Sequence, residues 1–187
     1  VIRNFIYSNY GMAGMSSPIT PAGTLALLNA ELLAGLVLAQ LANPGTPVIL
    51  GSLPAFFDMQ TMVDFYDPRT YLINVSCAEM MAYYHLPHAG TSGSGMGWGA
   101  DLLETGALWM DLLTGSLGKA GLAPFVGGAL GSKAFSPATA VYADELIAML
   151  RDFDAGYALD AASLAVDQII AGVATFDNLS INRNGVG

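Results

Sequence analysis

Short apolar runs alternate with longer helical stretches along this chain, and each run ends in a loop rich in Gly, Ser and Pro. The run Asn4–Tyr10 leads through one such loop to a helix predicted over Thr24–Ala42. Pro47–Ser52 leads through "LPAFFDMQTMVDFYDP" to a helix over Arg69–Tyr84. Leu86–Gly93 leads through "SGMGWG" to a helix over Ala100–Leu117, and Leu122–Gly131 leads through "SKAFSP" to one over Thr139–Phe153. A last helix is predicted over Asp160–Ala174. The short runs are continuous rather than alternating, as in strands buried on both faces of a parallel sheet. Links from helix to strand are short, whereas loops from strand to helix are long. That asymmetry suits β/α repeats whose functional loops stand at the carboxyl ends of the strands. The expected fold class is therefore α/β, with roughly four β/α units of a (β/α)8 TIM-barrel type. Such a barrel needs about 250 residues in full. A small doubly wound domain is the alternative.

Composition sharpens this picture. Of 187 residues, 53% are apolar and only 11% charged, against a usual quarter charged. One domain over residues 1–187 is expected, with too little charge to cover a separate globule. A membrane, a second subunit or another part of the same protein is expected to cover the remainder, which favours the half-barrel. A homo-oligomer is also expected. Both ends, "VIRNFIYSNYG" and "NRNGVG", read as cut. The membrane reading of the first helix fails on Asn29, Glu31 and Gln40, because a carboxylate in mid-bilayer is costly. Pro18 and Pro21 before the helix and "NPG" after it are ordinary soluble-helix punctuation. The net charge of −9 repels phosphate, excludes nucleic acid as a natural partner, and favours a cationic small molecule or a basic protein face. Cys77 is the only cysteine, so no internal disulfide forms, which fits a reducing cytoplasm.

The strand-end loops hold the residues suited to chemistry. Tyr7, Tyr10, Met12, Met15, Ser16 and Ser17 belong to the first, and Phe56, Phe57, Asp58, Phe65, Tyr66 and Asp67 to the second. The third supplies His88, Thr91, Ser92 and Trp98, with Asp101 and Glu104 opening the next helix. Aromatic faces beside carboxylates are what a methylated ammonium requires, since a quaternary cation donates no hydrogen bond. The same rings would equally serve a core, and the same carboxylates a helix's first turn. "HLPH" does not place His85 and His88 on one metal, because Pro87 intervenes in a helix-to-strand link. His88 is the better candidate for substrate contact or proton transfer. Cys77, in mid-helix, reads as a buried, inert thiol. The alternating Gly93, Gly95, Gly97 and Gly99 lack the spacing and the downstream acid of a dinucleotide site.

Several phrases nevertheless resemble one family. "GMSSPITPAGTLALLNAELLAGLVLAQLANPGTPVILGS", "FDMQT", "HLPHAGTSGS", "YADELIAMLRDF" and "NRNGVG" are similar, in order, to the trimethylamine methyltransferase (MttB) superfamily. The segment "GMGWGADLLETG" departs from it, where an Asp-Ala-Gln-Ala-Gly-like phrase is expected. The resemblance implies a (β/α)8 barrel and methyl transfer from a methylated amine, a glycine betaine-like quaternary amine or trimethylamine. The acceptor would be the Co(I) of a corrinoid (cobalamin) on a separate corrinoid protein, with no cofactor bound directly and no metal site. It places the chain in the C-terminal portion of a longer methyltransferase, in the group without pyrrolysine. On this reading Tyr7, Tyr10, Phe56 and Tyr66 cage the cation, Asp58 or Glu104 balances its charge, and Thr91 adds a contact. His88 and Glu104 are the catalytic candidates. The alternatives are a non-catalytic amine-binding relative, or an inactive fragment.

Overall fold

The computed structural model describes residues 5–65, 67–91, 93–119 and 122–173. Its contacts group the chain into two compact units, Val1–Asp154 and Ala155–Gly187.

The first unit begins with strand β1 (Phe5–Ala13), helix α1 (Pro21–Ala42) and strand β2 (Val48–Asp58). A short strand β3 (Val63–Phe65), helix α2 (Pro68–Tyr83) and strand β4 (His88–Ala89) follow. Helix α3 (Leu102–Leu117), the strand pair β5 (Gly128–Ala129) and β6 (Ala134–Phe135), and helix α4 (Pro137–Ala155) complete it. β1 and β2 pair in parallel over their length, and β2 pairs in parallel with β4 at Leu50–His88 and Gly51–Ala89. A parallel bridge from Ala89 to Leu122 continues the order. Successive parallel segments thus lie side by side in chain order, and α2 packs against both α1 and α3.

Three differences from expectation concern the strands, the first being that the run Leu86–Gly93 is strand only at the two residues of β4. The stretch read as a loop after Ser52 is instead strand to Asp58, turning back into antiparallel β3. Phe56 and Phe57 are β-favouring residues, and Asp58 accepts from Gln60 N (2.8 Å) and Thr61 Oγ1 (2.8 Å) to close the turn. The fourth expected strand, Leu122–Gly131, reduces to the bridge at Leu122 and the β5–β6 hairpin. Its glycines favour turns over a ladder.

Helix α1 starts at Pro21, behind a Thr20 cap that accepts from Gly23 N. Thr24, Leu28, Leu32, Gly35 and Ala39 form its buried face. It is long and apolar enough to cross a membrane by length and composition, yet this face lies on the sheet. Its other face is uncovered among the described residues, with Val37 56%, Leu38 60% and Leu41 77% exposed. A helix apolar nearly all round is thus buried on one side within the described residues. Leu32 is fully buried against Leu50 and Met81. Leu32→Ala is expected to cost about 3 kcal/mol by lost transfer energy and cavity formation, read as a lower urea midpoint at unchanged slope.

In the second unit, Asp160 and Ser163 exchange hydrogen bonds, Asp160 N to Ser163 Oγ (2.9 Å) and Ser163 N to Asp160 Oδ1 (2.7 Å). Ala165 takes φ 48°. The helix expected from Asp160 consequently begins later and covers 166–173 among the described residues.

Candidate functional site

Strand alternation decides which side chains share a face. Five β1 positions turn toward the helices. The Tyr7 ring would overlap a Cβ at Gly35, Asn9 Nδ2 donates to Leu28 O (2.9 Å) and Glu31 Oε2 (3.0 Å), and Gly11 abuts Leu28. Ala13 joins Leu28, Phe56, Ile73 and Cys77 in one core, and Phe5 packs at the base. Ile6, Ser8, Tyr10 and Met12 therefore lie on the opposite, inner face. The register adds Ile49, Gly51, Leu53, Ala55 and Phe57 from β2, and Ala89 from β4.

This splits the expected cage. Tyr7 and Phe56 are on the helix side, and Tyr10 is on the inner side. Phe56 is buried, and the Arg69 guanidinium sits over its ring at 4.3 Å, so the cation it meets belongs to the chain itself. Arg69 is held there by Asp67 (2.7 Å), which also caps α2. Asp58 uses both carboxylate oxygens in its turn, and those hydrogen bonds, first from the Gln60 backbone, hold its pKa below the ordinary value. It is a turn-forming residue in this structure. Tyr66 lies outside the described residues.

His88 also faces the helices. Its Nε2 lies 2.9 Å from Ser52 Oγ, its Nδ1 has no partner among the described residues, and burial lowers its pKa to about 4. It is therefore neutral near pH 7, a poor proton donor that ties β4 to β2 beneath α2. The Cys77 thiol reaches the same Ser52, and burial pushes its pKa up, as its reading as an inert thiol anticipates. Thr91 is half-buried, its N–H donating to Asn74 Oδ1 (3.3 Å) of α2.

The inner face is built of small residues at its centre. Ser8, Gly51 and Ala89 form one row across three parallel strands; a Cβ at Gly51 would stand 3.1 Å from Ser8 Cβ and 3.6 Å from Ala89 Cβ. Tyr10, 48% exposed, stands one row above, beside Leu53. Beyond it β1 and β2 continue as a tongue, Asp58 standing roughly 23 Å past Gly51 at strand rise. Phe57 is roughly 13 Å along from Leu53, so Tyr10 and Phe57 cannot close on one ligand by themselves.

A second cluster joins the third and fourth strand-end loops. Glu104 is fully buried; its Oε1 accepts from Gly95 N (2.9 Å) and its Oε2 from Gly97 N (2.9 Å). Desolvation raises its pKa, against these two hydrogen bonds. Two turns on, fully buried Asp111 accepts from Gly93 N at Oδ2 (3.1 Å) beside the Ser94 backbone amide, while its Oδ1 has no partner among the described residues. Burial raises the Asp111 pKa to about 8. Asp101 caps α3 through Glu104 N (2.9 Å) and also accepts from Trp98 N (2.8 Å). On the other edge, Gly131 N donates to Gly95 O (2.9 Å) and Leu130 N to Gly97 O (2.9 Å). The sequence reading gave Asp111 no role. Its signal was a carboxylate on the apolar stripe of α3 with Leu108, Leu112 and Gly115, facing alternate glycines. Among the described residues, no group of three or more His, Cys, Asp or Glu is placed to hold a metal.

Comparison with known proteins gives the chemical context. The family model described as trimethylamine methyltransferase (MTTB) matches residues 3–178. A glycine betaine methyltransferase from Desulfitobacterium hafniense (strain Y51) is 33% identical over 166 residues, 88% of this chain and 35% of the relative. Trimethylamine methyltransferase MttB of D. hafniense (strain DSM 10664 / DCB-2) is 42% identical over 78 residues, 41% of this chain and 16% of that protein. MttB1 of Methanosarcina acetivorans is 46% identical over 77 residues, with the same coverage. The chain thus spans about a third of the length of that betaine methyltransferase. With nearly its whole described length matched, the chain belongs to the trimethylamine methyltransferase (MTTB) family.

Proposed function

We propose that this chain is part of an enzyme that moves a methyl group from a glycine betaine-like quaternary amine to the Co(I) of a corrinoid on a separate protein. The observation that carries this reading is the similarity to a glycine betaine methyltransferase across 88% of the chain. In the transfer the N–CH3 bond breaks with its electron pair passing to nitrogen, and Co(I) supplies the pair for the new Co–CH3 bond. A quaternary substrate leaves as a neutral tertiary amine, so no proton is required at nitrogen. That asks nothing of His88, whose neutral buried imidazole lies on the helix side of the sheet. The protein's task is to hold the amine in line and to exclude water.

The sheet serves as one arc of a (β/α)8 barrel, with the amine above the Ser8–Gly51–Ala89 row and against Tyr10. Sequential parallel order supports this, as does an inner face bearing Ile6 at 59% exposure; parallel sheets are ordinarily covered on both faces. The test uses the full-length protein and follows cob(I)alamin absorbance as glycine betaine or trimethylamine is added. Methyl-Co(III) should form with the betaine, and Tyr10→Ala should raise its KM by about threefold to thirtyfold, the range of a lost cation–π contact. Turnover confined to trimethylamine would reject the substrate assignment, and an unchanged KM would remove Tyr10 from the site.

A further inference from the structure

We propose that Glu104 is a positioning residue for this reaction, clamping the Gly93–Gly97 segment as a fixed wall of the substrate chamber rather than acting as an acid or a counter-charge. The inference rests on the methyl-transfer reading above. Its basis is geometric. Both Glu104 oxygens are already committed, each to one backbone amide at 2.9 Å, and the side chain is fully buried beneath the segment it holds. A carboxylate so placed has no face left for a ligand. It is also matched to its segment in a way that leaves little freedom. A Cβ at Gly95 would stand 2.8 Å from the Glu104 carboxyl carbon, and one at Gly97 would stand 2.6 Å from Glu104 Cβ and overlap the Asp101 carboxylate. Only a chain without side chains at these positions can lie so close to α3.

The opposite edge of the segment is fixed as well. Gly95 and Gly97 each accept an N–H from the fourth loop, at Gly131 and Leu130, and Ser94 bridges in parallel to Gly128. The segment therefore continues the direction of the sheet above β4, with carboxylates on one side and a neighbouring loop on the other. It lies a few residues beyond Ala89, which closes the small-residue row of the inner face. Charge-assisted hydrogen bonds from buried amides are among the stronger ones available. Losing the one at Gly97 leaves a buried N–H without its charged acceptor, whereas the Gly95 amide would keep only its longer contact to Gly128 O (3.4 Å).

Glu104→Gln separates the roles. Glutamine keeps shape and one acceptor but turns an NH2 group toward one of the two amides. In the full-length protein, hydrogen exchange at the Gly95 or Gly97 amide should accelerate by about ten- to a hundredfold. The glycine betaine KM should rise about tenfold while kcat changes less than threefold, because a wall has moved and the chemistry has not. Gly95→Ala disturbs the same clamp from the loop side and should give the same KM-weighted loss; it decides the matter if Glu104→Gln does not fold. Unchanged exchange and KM in both variants would overturn the proposal. So would a fall in kcat at constant KM that removes one limb of the pH–rate profile, the mark of an acid. Absence of methyl transfer in the wild-type protein would instead sink the underlying functional reading, and the exchange measurement would still show whether the clamp exists.

Discussion

Gly93→Ala is expected to disrupt the junction of the third and fourth strand-end loops more than any other single methyl addition in this site. Gly93 has φ +108°, a conformation L side chains rarely adopt. A Cβ there would stand 2.7 Å from Phe125 C and overlap the Val126 amide nitrogen, both backbone atoms that cannot rotate aside. Strain at the dihedral and overpacking together amount to roughly 2–6 kcal/mol. The Gly93 N–H is also held by Asp111, beside the Ser94 amide, so displacement weakens the hydrogen bonding of a buried carboxyl. A fall in thermal midpoint and loss of protection at the Gly93–Gly97 amides should accompany each other. A variant with wild-type midpoint and wild-type exchange would show that the loop has another conformation available.

Asp111→Asn should change how stability depends on pH. The folded-state pKa is raised by burial to about 8 from the ordinary 3.8. Below pH 3.8 the carboxyl is protonated in both folded and unfolded chains and has no effect. Between about 4 and 8 the unfolded chain has released its proton and the folded one retains it, so stability declines as pH rises, by about 1.4 kcal/mol per unit. Above pH 8 both states are ionised and the loss levels off, at a total on the order of several kcal/mol. Asparagine carries no charge and offers the same acceptor to Gly93 N. The variant should therefore match the wild type near pH 4 and exceed it increasingly toward pH 8, read as the thermal midpoint of the full-length protein across that range. Parallel pH dependences in the two proteins would show that Asp111 is ionised, or solvated, in the folded state.

These two residues also show where sequence reading stopped. The alternation of Gly93, Gly95, Gly97 and Gly99 was visible, but it fits no phosphate-binding spacing and so remained unexplained. Its reason is the acidic face of α3: Gly93, Gly95 and Gly97 donate their amides to Asp111 and Glu104. A pattern of that kind becomes readable only when two segments seven to eighteen residues apart are brought together. The expected cage is divided between two faces for a related reason. Tyr7 and Tyr10 are three apart, and strand periodicity puts them on opposite faces. Treating them as loop residues concealed this.

The alternation of short apolar runs with helices determined the β/α order, the direction of the strands and the approximate placement of all four long helices, because each of these follows from local periodicity and from Pro, Asn and Gly punctuation. The long motifs determined the family. Tertiary structure decided which face each side chain occupies. It turned Phe56 toward Arg69, His88 toward Ser52 and Asp58 into its own turn, and it left Tyr10 above a row of small residues. The physical reason is that a strand's side chains divide between two environments by register alone. Register is set by pairing partners far away in sequence, so composition could name the residues of a site but not the side of the sheet on which they would meet.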